Sequence, residues 1–207
     1  HRHFSEIVDF IPAGDLLVFN DVKVHKARLS GVRKTGGRLE IVVLSAEKKQ
    51  DGFFQLELII SPSRRIKGGE TLFCGVDKIA LSIVERQEDV FIAKLAPGEF
   101  DLSAWLKSSG EMPIPPYLGR SYEPGVDDER YQTVYAEAGF ASAAPTAGLH
   151  FTGEILKALA EKGVELVPLT LNVGRGTFLP IRTERIDEHE MHSERYRIAS
   201  TSWKKIV

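Results

Sequence analysis

Between residues 15 and 95 no apolar run is longer than a β-strand can use, and this constrains the fold more than any other feature of the chain. Runs at 16–20, 27–33, 38–44, 53–60, 79–84 and 90–95 each have strand length and are rich in β-branched and aromatic residues. Turn residues separate them. Thr35, Gly36 and Gly37 mark a hairpin, since glycine reaches positive φ without steric cost. Gly68 and Gly69 mark another. Short strands at roughly 8–12-residue spacing predict a small barrel or sandwich.

The texture changes near residue 100. Asp101 is placed to cap a short helix that runs to Ser109 and ends at Gly110. Pro113, Pro115 and Pro116 then fix φ and remove donors, which predicts an ordered extended strap over 111–117. Thr152 caps a second helix, with Ile155, Leu156 and Leu159 on one face and Gly163 as its stop. Residues 164–171 read as a buried strand. Strand, loop, helix and strand in that order predict a parallel βαβ unit. The chain therefore divides into an α/β body and an inserted β-module, without internal repeats.

Charge and cysteine content narrow the function classes. The net charge of −2 and a pI near 6.4 do not describe a generic polyanion binder. Yet residues 22–39 hold Lys23, Lys26, Arg28, Arg33, Lys34 and Arg38 with no acid, and Arg64, Arg65 and Lys67 form a second basic knot. These are either solvated strand faces or a local phosphate-contact surface. Cys74 is the only cysteine. It excludes internal disulfides and fits a reducing compartment, as a small buried apolar residue. No apolar run reaches the ~18 residues of a membrane span. The start lacks both an initiator Met and the apolar stretch of a signal peptide, so the expectation is that a native N-terminus is missing.

Two loops could carry chemistry. Residues 143–151 (AAPTAGLHF) lead into the Thr152-capped helix. Small residues there let backbone N–H groups approach a carboxylate or phosphate, which the helix dipole favours. The plainer reading is a tight turn without a ligand. Residues 171–178 (LNVGRGTF) follow the next strand. Ligands bind beyond the carboxyl ends of parallel strands, so both loops are expected at one crevice. His150 is the first loop's sole acid or base candidate. The alternative for it is a hydrogen-bonded bridge between loops. His189, Glu190 and His192 suggest zinc, but the histidines are three apart rather than the four that share a helix face, and no third ligand is evident. A polar surface turn and a role in proton transfer remain open for them. Tyr131 and Tyr135, four apart, fit either a core-facing helix stripe or a base-stacking element. His1, His3 and His25 carry no signal.

The blocks 12–21 with 27–29, 110–117, 129–136, 143–151, 174–178 and 191–194, in that order and spacing, resemble the S-adenosylmethionine:tRNA ribosyltransferase-isomerase family of queuosine biosynthesis. The similarity runs from about residue 4 to the end. It implies an α/β multi-domain fold: a three-layer α/β body, residues 1–23 and 97–207, with an inserted antiparallel β-barrel, residues 24–96. It also implies ribosyl transfer from S-adenosylmethionine, as co-substrate, to the aminomethyl-deazaguanine at the wobble position of tRNA. Epoxyqueuosine-tRNA, adenine and methionine are the products. The site residues expected on this footing are His150 and His192 for catalysis, and Pro145, Thr146, Ala147, Gly148, Gly174, Gly176, Thr177 and Phe178 for S-adenosylmethionine. For a tRNA carrying the queuine precursor they are Asn20, Asp21, Arg28, Lys34, Arg38, Arg130, Tyr131, Gln132 and Tyr135. No metal and no membrane are expected, and the location and state are expected to be cytoplasmic and monomeric. The chain lacks about the first tenth and the last third of the family length. It departs from the pattern at Asn172, where the family usually has His, and at Lys23 and Lys26. The Asn172 departure leaves a non-catalytic or divergent RNA-binding paralogue as one alternative; the His189 and His192 pair leaves a metal-dependent hydrolase as another.

Overall fold

The computed structural model describes residues 1–96, 101–115, 118–178, 183–188, 191 and 193–207. A 3₁₀ turn (Phe4–Glu6) and one helical turn, α1 (Ile7–Phe10), precede strands β1 (Leu16–Asn20) and β2 (Val22–Val24). Then come β3 (Arg28–Arg33), β4 (Arg38–Lys48), β5 (Phe54–Ser61), β6 (Thr71–Cys74), β7 (Ile79–Gln87) and β8 (Val90–Leu95). Each pairs antiparallel with two others, in the circuit β3–β4–β5–β8–β7–β6–β3, so the sheet closes as a six-stranded barrel. Closure leaves no strand edge open for pairing with another chain.

Period-two alternation fills the barrel. Leu29, Leu39, Ile41, Val43, Leu56, Leu58, Leu72, Cys74, Leu81, Ile83, Phe91 and Ala93 are all buried in one cluster. Each large member contributes roughly 1.5–3 kcal/mol by leaving water. Gly31 faces the same interior, and a Cβ there would lie 2.7 Å from Ile41 Cδ1, so the missing side chain makes room for the isoleucine. Burial pushes the Cys74 thiol up to about 12, which leaves it an inert packing residue.

Helix α2 (Leu102–Ser109) adds to this core through Leu102, Trp105 and Leu106. As the sequence predicts, Asp101 caps it, accepting from the backbone N–H groups of Ser103 (2.9 Å) and Ala104 (3.2 Å). The two-residue β9 (Gly110–Glu111) then pairs with β3. A Cβ on Gly110 would collide with the Lys26 carbonyl oxygen and come within 2.8 Å of that of Leu106.

Outside the barrel the chain forms α3 (Val126–Arg130), β10 (Ala138–Ala141), α4 (Gly153–Glu161), β11 (Glu165–Leu171), β12 (Tyr196–Arg197) and α5 (Ser200–Ile206). β1 runs parallel to β11, from Leu16 opposite Glu165 to Asn20 opposite Leu169, and β12 adds antiparallel to β11. β10 runs parallel to β2 in a separate pair. The helix after Thr152 and its stop at Gly163 (φ +92°) appear as expected. The βαβ expectation needs correction, because the strand before the loop, β10, is not hydrogen-bonded to β11. β10 is four residues long, its pairing with β2 is irregular, and it contains Gly139 at φ +71°, so β11 takes β1 as its parallel partner. The elements that escaped the sequence reading are short: α1, β2, β6, β9, α3, β12 and α5 have two to seven residues each, too few for a periodic signal.

An ion pair holds α3. Asp127, 2% exposed, accepts from Arg120 Nη1 (2.8 Å), Arg120 Nη2 (2.6 Å) and the Glu123 backbone N–H (2.8 Å). The guanidinium and the backbone donor hold its carboxyl down to about 2.

Two tests follow from this packing. Gly110→Ala is expected to destabilise the full-length protein by about 1–3 kcal/mol, read as a fall in the urea midpoint. An unchanged midpoint would mean that the Lys26 carbonyl can move aside. Asp127 has a folded pKa below its ordinary value, so its contribution is complete above about pH 4 and is lost as pH falls through about 2. The stability gap between parent and Asp127→Asn is therefore expected at pH 6 and should close near pH 2. A gap that is constant with pH would refute the carboxylate's role.

Candidate functional site

Because β1 and β11 are parallel, their carboxyl ends lie at the same edge, where a ligand site belongs in such sheets. The polar side chains at this edge are engaged in holding strands together. Asn20 extends the ladder by one rung: its Nδ2 donates to the Leu171 carbonyl (3.0 Å), and its Oδ1 accepts from the N–H groups of Leu171 (2.9 Å) and Val22 (3.1 Å). Asp21, 9% exposed, accepts from the Thr170 hydroxyl at 2.6 Å. Asn172 Oδ1 accepts from the Phe140 N–H (3.0 Å), tying the end of β11 to β10. Asn20 and Asp21, expected to meet tRNA, thus have structural partners here.

β10 leads into the first loop. Ala143 and Ala144 are buried, and residues Thr146–His150 form a 3₁₀ turn. The Gly148 N–H donates to the Pro145 carbonyl at 2.8 Å. Gly148 is buried, and a Cβ there would overlap the Tyr135 hydroxyl and sit 2.9 Å from Thr133 Cγ2, so this turn requires glycine for close approach. Thr146, Ala147 and His150 are exposed. His150 lies against Phe4, with ring centres 5.2 Å apart. A chain of aromatic contacts continues from Phe4 to Phe151 (4.9 Å), Tyr135 (6.1 Å) and Phe19 of β1 (4.5 Å). It fastens the loop to the sheet and to the N-terminal turn.

Two hydroxyls near this loop have no partner among the described residues: Thr133 Oγ1 and Ser142 Oγ, on residues only 4% and 0% exposed. A buried hydroxyl left unpaired costs about 1–3 kcal/mol, so both are candidates for a ligand or an ordered water. Thr152 Oγ1 caps α4 by accepting from the Ile155 N–H at 3.3 Å. Glu154 supplies a carboxylate at this helix start, and its hydrogen bond with Thr152 lowers its pKa. Any anionic ligand at the helix start would share the positive end of the dipole with it.

The second loop makes contacts of its own. The Gly174 N–H donates to Glu194 Oε1 at 3.0 Å, and Arg175–Thr177 form a 3₁₀ turn. Gly176 is half-buried, while Thr177 is exposed. The Phe178 ring packs on an apolar patch of Val42, Leu44, Val90 and Ile92, on the barrel face opposite its interior. No hydrogen bond or ring contact among the described residues joins residues 145–151 to 174–178. The loops are related indirectly, through the Asn172–Phe140 bond. His192, His189 and Glu190 lie outside the described residues. Among those described, no three His, Cys, Asp or Glu side chains gather in a metal-binding group.

Residues 130–135 do not form a helix stripe, since α3 ends at Arg130. Gln132 stands in for a strand partner instead: it accepts from the Val24 N–H and donates to the Val24 carbonyl, both at 3.0 Å. Tyr131 packs with Val24, Met112, Ile114 and Ala144, whereas Tyr135 joins the aromatic chain. Burial raises the Tyr135 hydroxyl's pKa. Arg130 is exposed. The Arg28 guanidinium is engaged by Glu40 (3.2 Å) and the Ile114 carbonyl (3.1 Å). Lys34 and Arg38 are exposed near the β3–β4 turn, with no ion-pair partner among the described residues. His25, which carried no sequence signal, stacks on Phe140 (4.6 Å, 11°), and burial lowers its pKa. Lys26 bonds Asp128 (2.7 Å) and Tyr122 (3.1 Å), tying the β2–β3 connection to α3. Partners this distant in sequence leave no local signal.

Comparison with known proteins gives this geometry its context. S-adenosylmethionine:tRNA ribosyltransferase-isomerase of Pelobacter propionicus is 44% identical over 207 residues, all of this chain and 59% of its own length. The Legionella pneumophila (strain Paris) protein of the same name is 43% identical over 199 residues, 96% of this chain and 56% of its own. This chain thus spans under two thirds of the length of these relatives. A crystal structure of S-adenosylmethionine tRNA ribosyltransferase from Thermotoga maritima covers 98% of this chain with 50% of its own, at 22% identity. Its TM-score of 0.33 is too low to carry an argument. The family model described as queuosine biosynthesis protein matches residues 1–207, end to end. The chain belongs to the queuosine biosynthesis protein family.

Proposed function

We propose that the full-length protein transfers and isomerises the ribosyl unit of S-adenosylmethionine onto the aminomethyl-deazaguanine at the wobble position of tRNA. Epoxyqueuosine-tRNA, adenine and methionine are the products. The observation that carries this reading is identity of 43–44% over nearly the whole chain with relatives that bear the enzyme's name. The finer architecture we propose with it is a three-layer α/β body, residues 1–23 and 97–207, around an inserted barrel, residues 24–96. A monomer in the cytoplasm completes the reading.

The sulfonium acidifies the neighbouring ribose carbon, so a base removes that proton and the ribose opens with loss of adenine; the amine then bonds to the opened sugar, and closure of the epoxide breaks the carbon–sulfur bond and releases methionine. This chain would supply three things. The backbone N–H groups of Thr146 and Ala147, in the turn 145–148, would receive the methionine carboxylate, and residues 174–178, tied to β10 through Asn172, would line another part of the same ligand. The Thr133 hydroxyl, on a side chain that packs against Gly148, and the Ser142 hydroxyl, which directly precedes the loop in sequence, would offer hydrogen bonds to the same ligand. His150, exposed at the rim of this turn, would exchange a proton with the ribose or the departing adenine. His192 is kept as a second proton carrier. Asn172 favours a runner-up. Its amide oxygen is committed to the Phe140 N–H, which suits a divergent paralogue that binds RNA without the chemistry.

Adenine release from S-adenosylmethionine by the full-length protein, with precursor tRNA present, separates the two readings; its absence would leave the RNA-binding paralogue. In an active enzyme, His150→Ala is expected to slow adenine release by ~10²–10⁴-fold. Its melting temperature and S-adenosylmethionine binding should change little. Turnover near the parent rate would remove His150 from the mechanism.

The exposed Lys34 and Arg38 are proposed to contact tRNA phosphates. Reversing both to Glu is expected to weaken tRNA binding and to lower the slope of log K against log salt by roughly 0.9 for each phosphate no longer neutralised. Binding equal to the parent's at low salt would exclude them.

A further inference from the structure

The outer wall of the barrel carries a concavity of about 580 Å³, to which neither strand-end loop contributes a lining residue. Strand register sets its floor. Val32 of β3 pairs with Arg38 of β4 on one side and with Phe73 of β6 on the other. Their neighbours Gly31, Leu39, Leu72 and Cys74 are buried inward, so Arg38, Val32 and Phe73 form one outward row across adjacent strands. With strands ~4.8 Å apart, that row spans roughly 10 Å. Val32 and Phe73 are both partly exposed.

The rim is polar and held in place. Ser30 and Glu40 pair in the next row, and Lys78 enters from the β6–β7 turn. That turn is fastened to the groove's edge, since the Gly75 N–H donates to the Ser30 carbonyl (3.0 Å) and the Lys78 N–H to the Gly75 carbonyl (3.3 Å). Gly75 sits at φ +71° with its Cα against α2, where a Cβ would lie 2.7 Å from Ser109 Cβ. Arg28 neutralises the Glu40 carboxylate. Arg38 and Lys78 have no ion-pair partner among the described residues, so the groove is net cationic over an aromatic floor.

A free anion has no use for the ring, and an apolar peptide has none for the two cations. A nucleotide uses both, with its base on the aromatic face and its phosphate on the cations. We propose that this groove holds one unpaired nucleotide of the RNA substrate, its base over Phe73 and Val32 and its phosphate between Arg38 and Lys78. The proposal rests on the RNA-modifying reading above and adds a contact outside the strand-end loops.

The test uses the full-length protein and an unmodified tRNA transcript, titrated by fluorescence anisotropy at several salt concentrations. Phe73→Leu keeps an apolar side chain but removes the π face. It is expected to weaken binding about 5- to 150-fold, the range for losing one stacked base. Lys78→Gln places another long polar side chain at this positive-φ position and is expected to lower the salt slope by about 0.7. Both variants should keep the parent's melting temperature and its KM for S-adenosylmethionine, which a misfolded barrel would not. Parent-like RNA binding by both, in a protein that still releases adenine, would overturn the groove and leave the enzyme reading standing. A parent that neither binds tRNA nor releases adenine would overturn the enzyme reading itself. A change in oligomeric mass with unchanged RNA affinity would make the groove a contact between copies, which also overturns the proposal.

Discussion

The parallel pairing of β1 with β11 is the contact on which the remaining architecture depends. It joins segments so distant that the Asn20 amide and the Leu171 backbone, which finish the ladder, are 151 positions apart. Loop-closure entropy grows only logarithmically with length, so such a contact is tolerable when the intervening chain is itself folded. Here it is, because the barrel closes within residues 28–95 through pairings that do not involve either strand. The two segments thus meet as the ends of an already compact insertion rather than of a random coil.

That closure determines what the strand-end residues can do. Asn20, Asp21 and Asn172 look like a polar cluster awaiting a ligand when read one at a time. In three dimensions Asn20 and Asn172 bond backbone groups where the strands diverge, and Asp21 holds the Thr170 hydroxyl. The groups left without protein partners are less conspicuous: the Thr133 and Ser142 hydroxyls. Thr133 packs against the one glycine of the turn that admits no side chain, and Ser142 is fully buried just before that turn in sequence. The chemistry proposed for the protein therefore rests on small residues and backbone as much as on His150.

The barrel was legible in the sequence because alternation is a local property, and one residue's face follows from the next. The caps at Asp101 and Thr152 and the stop at Gly163 were legible for the same reason. What failed was non-local. Adjacent order suggested that β10 would pair with β11, but a four-residue strand with a positive-φ glycine offers few rungs, and β1 offers five. Residues 130–135 looked helical because two tyrosines stand four apart, yet Gln132 gains more by bonding both backbone groups of Val24. Phe178 stood in a glycine loop, and its contact with the barrel's outer face could not be read from its neighbours in sequence. The run of basic residues after position 22 was visible. That Arg28, Arg33 and Lys26 are paired with acids, while Lys34 and Arg38 have no such partner among the described residues, could be known only from the fold.

β4 is walled on both sides over its middle, with Ile41 and Val43 in the barrel core and Val42 and Leu44 under Phe178 and its neighbours. Most strands in a small barrel have one face on which neutral substitutions can accumulate. This one has none there, so sequence drift in the barrel and in the second glycine loop is coupled. A lineage that reshapes the loop must find a compensating change in the wall, which makes the barrel a historical constraint on the site.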